Sequence, residues 1–454
     1  MAICKHLISP VRCENSRRIR HDRGPDLLVA IYKKPPSRVA FSLWSAKLST
    51  SFEKGVGMDR RDFMGCALAI GSSAVAGNAW SADKWGADQG YPIGWGGQFS
   101  RFPEYRVGNY SGGFEGMFPH HIMEKSPTPT SLDVAPVKNF KYKWGFFNKS
   151  PDDYLDSWST TGLLICRDSS IFYENYRRGR YAEMRFTSWS MAKSVTSLLL
   201  GICLDKKLIE SYDDTADKYL PELKGNLHGS ITLRNLSNMS SGADILHDRD
   251  NRQIYPAAFT SGAANIAQTV ANWNRRQEDQ GRTYNYNELC PLAIGMVIRK
   301  VTGMSMSAFA ERVLWQPMGA ENNATWTTDA QKNEFNCIGF AATLRDWARL
   351  GTLVAQRGKV DKTQVVSESW IQECTSWSDK DRQVRVGVAS PRFGYKAHMW
   401  HNKSDGSRLY FNGHHGQRVI IDLPTRTVMV HTAVDHDGNW QAELFEMFDA
   451  ATKI

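Results

Sequence analysis

Two β-rich hairpins bracket a long helical stretch, and that arrangement limits the folds open to this chain more than any other feature. The first hairpin is "GLLICRDSSIFYENYRRG", residues 162–179, where the runs Leu163 to Cys166 and Ile171 to Tyr176 are split by Arg167-Asp168-Ser169-Ser170. Short β-branched and aromatic runs on either side of a polar turn are a hairpin signal. The second is "RVIIDLPTRTVMVHTAV", residues 418–434, with Pro424-Thr425-Arg426 at its turn. Between them Ser190 to Leu204, Leu289 to Val301, Leu344 to Gln356 and Glu368 to Thr375 carry apolar residues at three- and four-residue spacing, as does Trp440 to Ala451 beyond the second hairpin. That period belongs to helices with a buried stripe. Strands at both ends with helices between predict an α+β domain, residues 136–454, whose two ends meet in one antiparallel sheet.

The 454-residue chain has more ahead of this domain. Residues 1–61 hold a net charge of +8 out of the chain's +9, so the body is close to neutral. A near-neutral body offers no surface for phosphate-backbone binding, and no nucleic-acid partner is expected. Residues 1–57 read as a basic extension, disordered or preceding the true start at Met58. In "MDRRDFMGCALAIGSSAVAGNAWSADK", Arg60-Arg61 precedes an uncharged stretch from Phe63 to Ala79 and then small residues. Residues 58–82 thus have the layout of a twin-arginine-like export signal, predicting a periplasmic protein. The stretch is shorter than the roughly 20 apolar residues a membrane span needs, so no span is expected after signal removal. Residues 83–135, rich in Gly, Pro and aromatics, predict an irregular strap over a surface. Of eight cysteines, five lie beyond the signal, widely and irregularly spaced. That pattern predicts buried free thiols over a disulfide framework or zinc site.

Ser-x-x-Lys occurs three times: Ser51 with Lys54, Ser81 with Lys84, and Ser190 with Lys193. Only Ser190 opens an apolar helix, "VTSLLLGICL". A hydroxyl there meets backbone N–H groups and a dipole that favour negative charge on its oxygen. Lys193 lies about one turn on, on the same face. A lysine against an apolar wall loses proton affinity and can serve as a base. Taken alone, a plain N-cap with a solvated lysine explains the tetrad equally well.

Four further stretches accompany "TSWSMAKSVTSLLLGICLDKKLIESYDDTADKYLPEL": "ITLRNLSNMSSG", "YNYNELCPLAIGMVIRKVTG", "GFAATLRDWARLGTLVAQRG" and "GHHGQRVIIDLPTRTVMV". With them the chain, from about residue 140 onward, resembles the serine β-lactamase and penicillin-binding superfamily in its class C and esterase branch. It is most similar there to the 6-aminohexanoate-dimer hydrolases and related amidases. The resemblance implies a β-lactamase/transpeptidase-like fold and an acyl-enzyme formed on Ser190, with Lys193 and Tyr286 moving the proton. It implies that the N–H groups of Ser190 and Gln417 hold the oxyanion, where losing one donor costs roughly 3 kcal/mol. The Tyr-x-Asn motif departs from pattern: Glu288 stands in the third position, Asn287 is adjacent, and Tyr284 competes with Tyr286 if the register slips by two. Glu288 and Asn287 are expected at the substrate amide. His414-His415-Gly416-Gln417 stands where the family has Lys/His-x-Gly, with His414 in the lysine position and Gly416 opening the strand, an esterase and amidase flavour.

The expected function is a serine hydrolase cleaving an amide or ester of a small molecule. The alternatives are a β-lactamase or D-amino-acid peptidase, and, from another class, a catalytically silent ligand- or cell-wall-binding module. Six histidines (His398, His401, His414, His415, His431 and His436) crowd the C-terminal end, yet no H-E-x-x-H or paired Cys/His frame accompanies them. No metal and no cofactor is expected.

Overall fold

The computed structural model describes residues 118–246, 249, 250, 254, 265–433 and 439–454. The expectations for residues 1–57 and 58–82, and most of that for 83–135, lie outside the described residues. Leaving aside two small isolated hairpins, the strands in chain order are β1 (His120–Met123), β2 (Asp133–Val134), β3 (Thr160–Arg167), β4 (Ser170–Tyr176), β5 (Phe186–Thr187) and β6 (Ala324–Thr327). They continue with β7 (Phe340–Ala342), β8 (Gly394–Lys396), β9 (Met399–His401), β10 (Arg408–Gly413), β11 (Gln417–Asp422) and β12 (Thr427–Ala433). The longest described helices are α1 (Ala192–Asp205), α2 (Leu289–Thr302), α3 (Leu344–Ala355), α4 (Glu368–Thr375) and α5 (Trp440–Ala451).

An eight-stranded sheet runs β8-β9-β10-β11-β12-β3-β4-β2. The two hairpins expected from sequence are its centre, and they join through β12 and β3, antiparallel with Val430 opposite Leu164. The ends of the domain therefore meet in one sheet, as an α+β fold requires. At the far end of this pairing, Arg426 grips Asp168 with two hydrogen bonds of 2.6 and 2.9 Å, tying one hairpin turn to the other.

The central strands read as continuous apolar runs because both faces are covered. Leu164, Cys166, Val419, Ile421, Val428 and Val430 pack into the core that holds α3, while Leu163, Ile165, Ile420 and Met429 pack against α5. Successive side chains on a strand point to opposite faces, so each run feeds both cores. Helix α3 lies close on its face because Gly351 has no side chain: a Cβ there would sit 2.5 Å from Val428 Cγ1.

Helix α1 is buried on every side from Ala192 to Cys203, the pattern of a core helix. A second sheet, β1-β6-β7-β5, flanks the helical body. Here the sequence reading needs correcting. The described end of the expected strap is not irregular: β1 pairs with β6, and β2 adds a parallel edge strand beside β4. Pairing of this kind is made by main chain and leaves little trace in composition. Among the described residues no single helix is long and apolar enough to cross a membrane, and all five cysteines are buried and free.

Candidate active site

Strand β5 delivers the chain into Ser188, whose N–H bonds Phe340 O at 2.7 Å and whose hydroxyl donates to Ile338 O at 3.0 Å. Residues Trp189–Met191 then form a 3-10 turn, and the regular helix begins at Ala192, two residues later than the sequence suggests. Trp189 holds φ at +43°. A bulky residue in that region is under backbone strain of about 1–3 kcal/mol, which persists only where the surroundings enforce it. The enforcement is visible: Gly413, the last residue of β10, lies so close that a Cβ on it would be 2.2 Å from Ser188 O. The Trp189 ring meets His414 and His415 edge-on at 5.6 and 5.8 Å.

This turn presents Ser190 half-buried and places Lys193 behind it, 1% exposed. The Lys193 Nζ faces three acceptors: Ser190 Oγ at 3.0 Å, Cys337 O at 3.0 Å and a Glu288 carboxylate oxygen at 2.5 Å. Burial is the largest single influence and pulls the amine's proton affinity down, but Glu288, Tyr286 and Cys337 together outweigh it, and the amine is held above its ordinary value. The sequence reading of a lysine with reduced proton affinity is thereby reversed, because the buried wall facing it contains a carboxylate. Glu288 is itself 1% exposed, at the start of α2, and the structure pairs it with the lysine.

Tyr286 and Tyr284 separate cleanly. The Lys193 Nζ lies 4.9 Å from the centroid of the Tyr286 ring. Burial raises the Tyr286 phenol while the Lys193 charge pulls it back down, leaving it raised. Tyr284 instead packs on Tyr395 and Trp400, at 5.3 and 6.2 Å, with its buried hydroxyl unpartnered among the described residues. Asn287 is spent locally: its oxygen accepts from Cys290 N at 3.1 Å and its amide donates to Asn285 O at 2.9 Å. Fully buried, it satisfies a backbone N–H in the first turn of α2.

The His414–Gly416 segment forms another 3-10 turn, with His415 at φ +53° and Gly416 at +87°. The turn directs the Gln417 N–H at His414 O, so in this conformation that N–H is engaged within its own loop. The Gln417 side chain likewise bonds Ala433 O at 2.6 Å and His415 O at 2.9 Å. Beneath the turn, His431 Nδ1 meets Gly416 O at 2.7 Å and its ring stacks on Trp440.

Further groups complete the site, of which Cys337 O and Tyr395 were not foreseen. Cys337 O is held in place because Thr196 of α1 donates to Asn336 O at 2.9 Å while the Asn336 amide reaches Pro291 O of α2 at 2.5 Å. Tyr395 and Trp400 form an aromatic wall with Tyr286, at 6.0 and 5.8 Å. His398 Nδ1 lies 3.3 Å from the Tyr395 hydroxyl; burial, then the Lys193 charge, push this histidine down to about 3. His401 faces Trp377, and no cluster of three metal-ligating side chains occurs among the described residues.

The β-lactamase family model matches residues 160–449. The 6-aminohexanoate-dimer hydrolase of Paenarthrobacter ureafaciens is 24% identical over 294 residues, covering 61% of this chain and 73% of that protein. A solved structure from Bacillus anthracis, provisionally named a 6-aminohexanoate-dimer hydrolase, superposes with a TM-score of 0.67 at 20% identity, covering 74% of this chain and 91% of that one. A family VIII carboxylesterase superposes with a TM-score of 0.51 at 16% identity, covering 66% of this chain and 94% of that one. The chain therefore belongs to the β-lactamase family and is a serine hydrolase of that superfamily.

Proposed function

We propose that the protein hydrolyses a linear amide or ester through an acyl-enzyme on Ser190. One observation carries this reading: the hydroxyl of the half-buried Ser190 lies 3.0 Å from a fully buried lysine amine, with a phenol ring over that amine. A nucleophile needs a base within hydrogen-bond reach and a wall that excludes water; Lys193 serves as that base once its amine gives up a proton, and the buried groups around it form the wall. Ser190 Oγ attacks the carbonyl carbon, and the serine proton passes to the group formed by Lys193 and Tyr286. The same proton is then delivered to the leaving nitrogen or oxygen as its bond to carbon breaks. Water afterwards releases the acid.

The Ser190 N–H, in the first turn of a helical segment, is the first donor to the oxyanion. The Gln417 N–H becomes the second once the His414–Gly416 turn loosens its bond to His414 O. An amide or ester is favoured over a β-lactam because His414, not lysine, occupies the position beside Gly416, so no fixed cation awaits a carboxylate. The 6-aminohexanoate-dimer hydrolase name of two relatives supports a linear amide. The twin-arginine-like residues 58–82 support export to the periplasm.

The test is labelling by a fluorophosphonate, with Ser190→Ala as control, followed by hydrolysis of p-nitrophenyl butyrate, a linear amide and a chromogenic cephalosporin. Labelling lost in the variant, with ester or amide turnover exceeding cephalosporin turnover, is the expected result. A wild-type protein that is never labelled would instead indicate a silent binding module.

A further inference from the structure

The geometry points to Glu288 as the terminal proton acceptor of a relay running from Ser190 through Lys193, an inference that rests on the acyl-enzyme reading above. Glu288 touches the amine directly at 2.5 Å, and both side chains are 1% exposed. The amine meanwhile donates to Ser190 Oγ and Cys337 O and lies in ion-pair contact with Glu288. An ammonium in that setting has no lone pair to offer the serine. Unless a proton leaves the nitrogen, Lys193 cannot act as a base.

Glu288 is placed to take that proton. Two opposite charges buried together are costly to keep out of water, and converting them to a neutral amine and a neutral acid removes that cost. The step balances. One proton moves from Nζ to the Glu288 carboxylate, and the freed lone pair takes the proton from Ser190 Oγ. The oxygen's electrons form the bond to the carbonyl carbon, and the carbonyl π pair moves to the oxyanion. The pair has then gained one proton, which it returns to the leaving group. Glu288 touches neither substrate nor nucleophile, so it is a positioning residue acting through Lys193.

The other titratable groups around the pair do not compete for this role. The Tyr286 phenol, the Cys290 and Cys337 thiols and the Tyr395 phenol are all raised, first by burial, and so stay neutral. His398, on the turn between β8 and β9, is pushed down to about 3 and is neutral as well. Among these neighbours Glu288 is the carboxylate in direct contact with the amine.

The experiment is the pH profile of kcat/KM for p-nitrophenyl butyrate in wild type, Glu288→Gln and Glu288→Asp, with fluorophosphonate labelling of each. In wild type the acid limb reports uptake of the extra proton by the pair as a unit. In Glu288→Gln the lysine becomes the base itself, so the acid limb moves to higher pH by about one unit or more. Glu288→Asp keeps the wild-type limb at a lower rate. A purely structural role would lower the rate by the same factor at every pH, and that result, or an unmoved limb, overturns the inference. Because Glu288→Gln can fail to fold, a proton inventory on wild type gives an independent reading. A curved dependence on deuterium fraction is expected for two protons in flight, and a linear one overturns the relay. If wild type is labelled at Ser190 but these signatures are absent, the relay falls and the hydrolase reading stands. If wild type is not labelled at all, both fall.

Discussion

Gly413→Ala is the substitution that most directly tests whether the strained nucleophile turn is held from outside. Gly413 has φ −115°, an ordinary strand value, so alanine brings no backbone penalty and any effect is steric. The new Cβ would stand 2.2 Å from Ser188 O and 2.8 Å from Gln417 Cβ. The first of these is main chain, fixed by the bond from Ser188 N to Phe340 O, and cannot swing aside. To reach the 3.0 Å that real Cβ atoms keep, β10 and the Ser188–Met191 turn must part by about 0.8 Å. Overpacking of this kind costs about 1–3 kcal/mol of stability, measurable as a lower urea midpoint at unchanged slope. Displacement of a reacting group by about 1 Å costs on the order of 100-fold in rate. The expected outcome is thus a folded, modestly destabilised enzyme whose fluorophosphonate labelling slows about 100-fold. Wild-type labelling together with a wild-type midpoint would refute the claim that Gly413 braces the turn.

Three other outcomes follow from the same geometry. Tyr286→Phe should lower kcat by about 100-fold or more, whereas Tyr284→Phe should leave kcat near wild type and raise stability by up to about 1 kcal/mol, since it deletes an unpartnered buried hydroxyl; steady-state kinetics and urea melts on both variants separate the two tyrosines. His228 is pushed down to about 4, and His398, His401 and His431 to about 3, all by burial first. The unfolded chain therefore takes up protons below its histidine value of about 6.5 that the folded chain refuses, and stability should fall with pH by up to about 1.4 kcal/mol per unit for each histidine. Urea midpoints at neutral and mildly acidic pH check this, and His401→Gln should flatten the decline. Gly201→Ala places a Cβ 2.2 Å from the Trp370 ring between α1 and α4, and should cost about 1–3 kcal/mol with a smaller effect on kcat than Gly413→Ala shows.

The periodicity of the sequence was enough to locate the sheet's centre and the main helices. Leu163 to Cys166 and Val419 to Ile421 read as hairpin strands, and α3 and α5 fall within a residue or so of their expected ends. Ser190 and Lys193 were legible for a similar reason, since both lie on one helical turn and their separation is fixed by local geometry. The β1 and β2 strands were not legible, because their partners, Ala324–Thr327 and Ser170–Ile171, lie far away in the chain.

The charge state of the site was likewise hidden in the sequence. Local spacing determined that Lys193 would sit beside Ser190 and that a tyrosine and a carboxylate would precede α2. Only the packing of α2 against α1 decided that the carboxylate would meet the amine at 2.5 Å, that Asn287 would turn inward as a cap, and that Cys337 O would complete the lysine's contacts. Proton affinity depends on distances between segments about a hundred residues apart, and one-dimensional spacing carries no information about those distances.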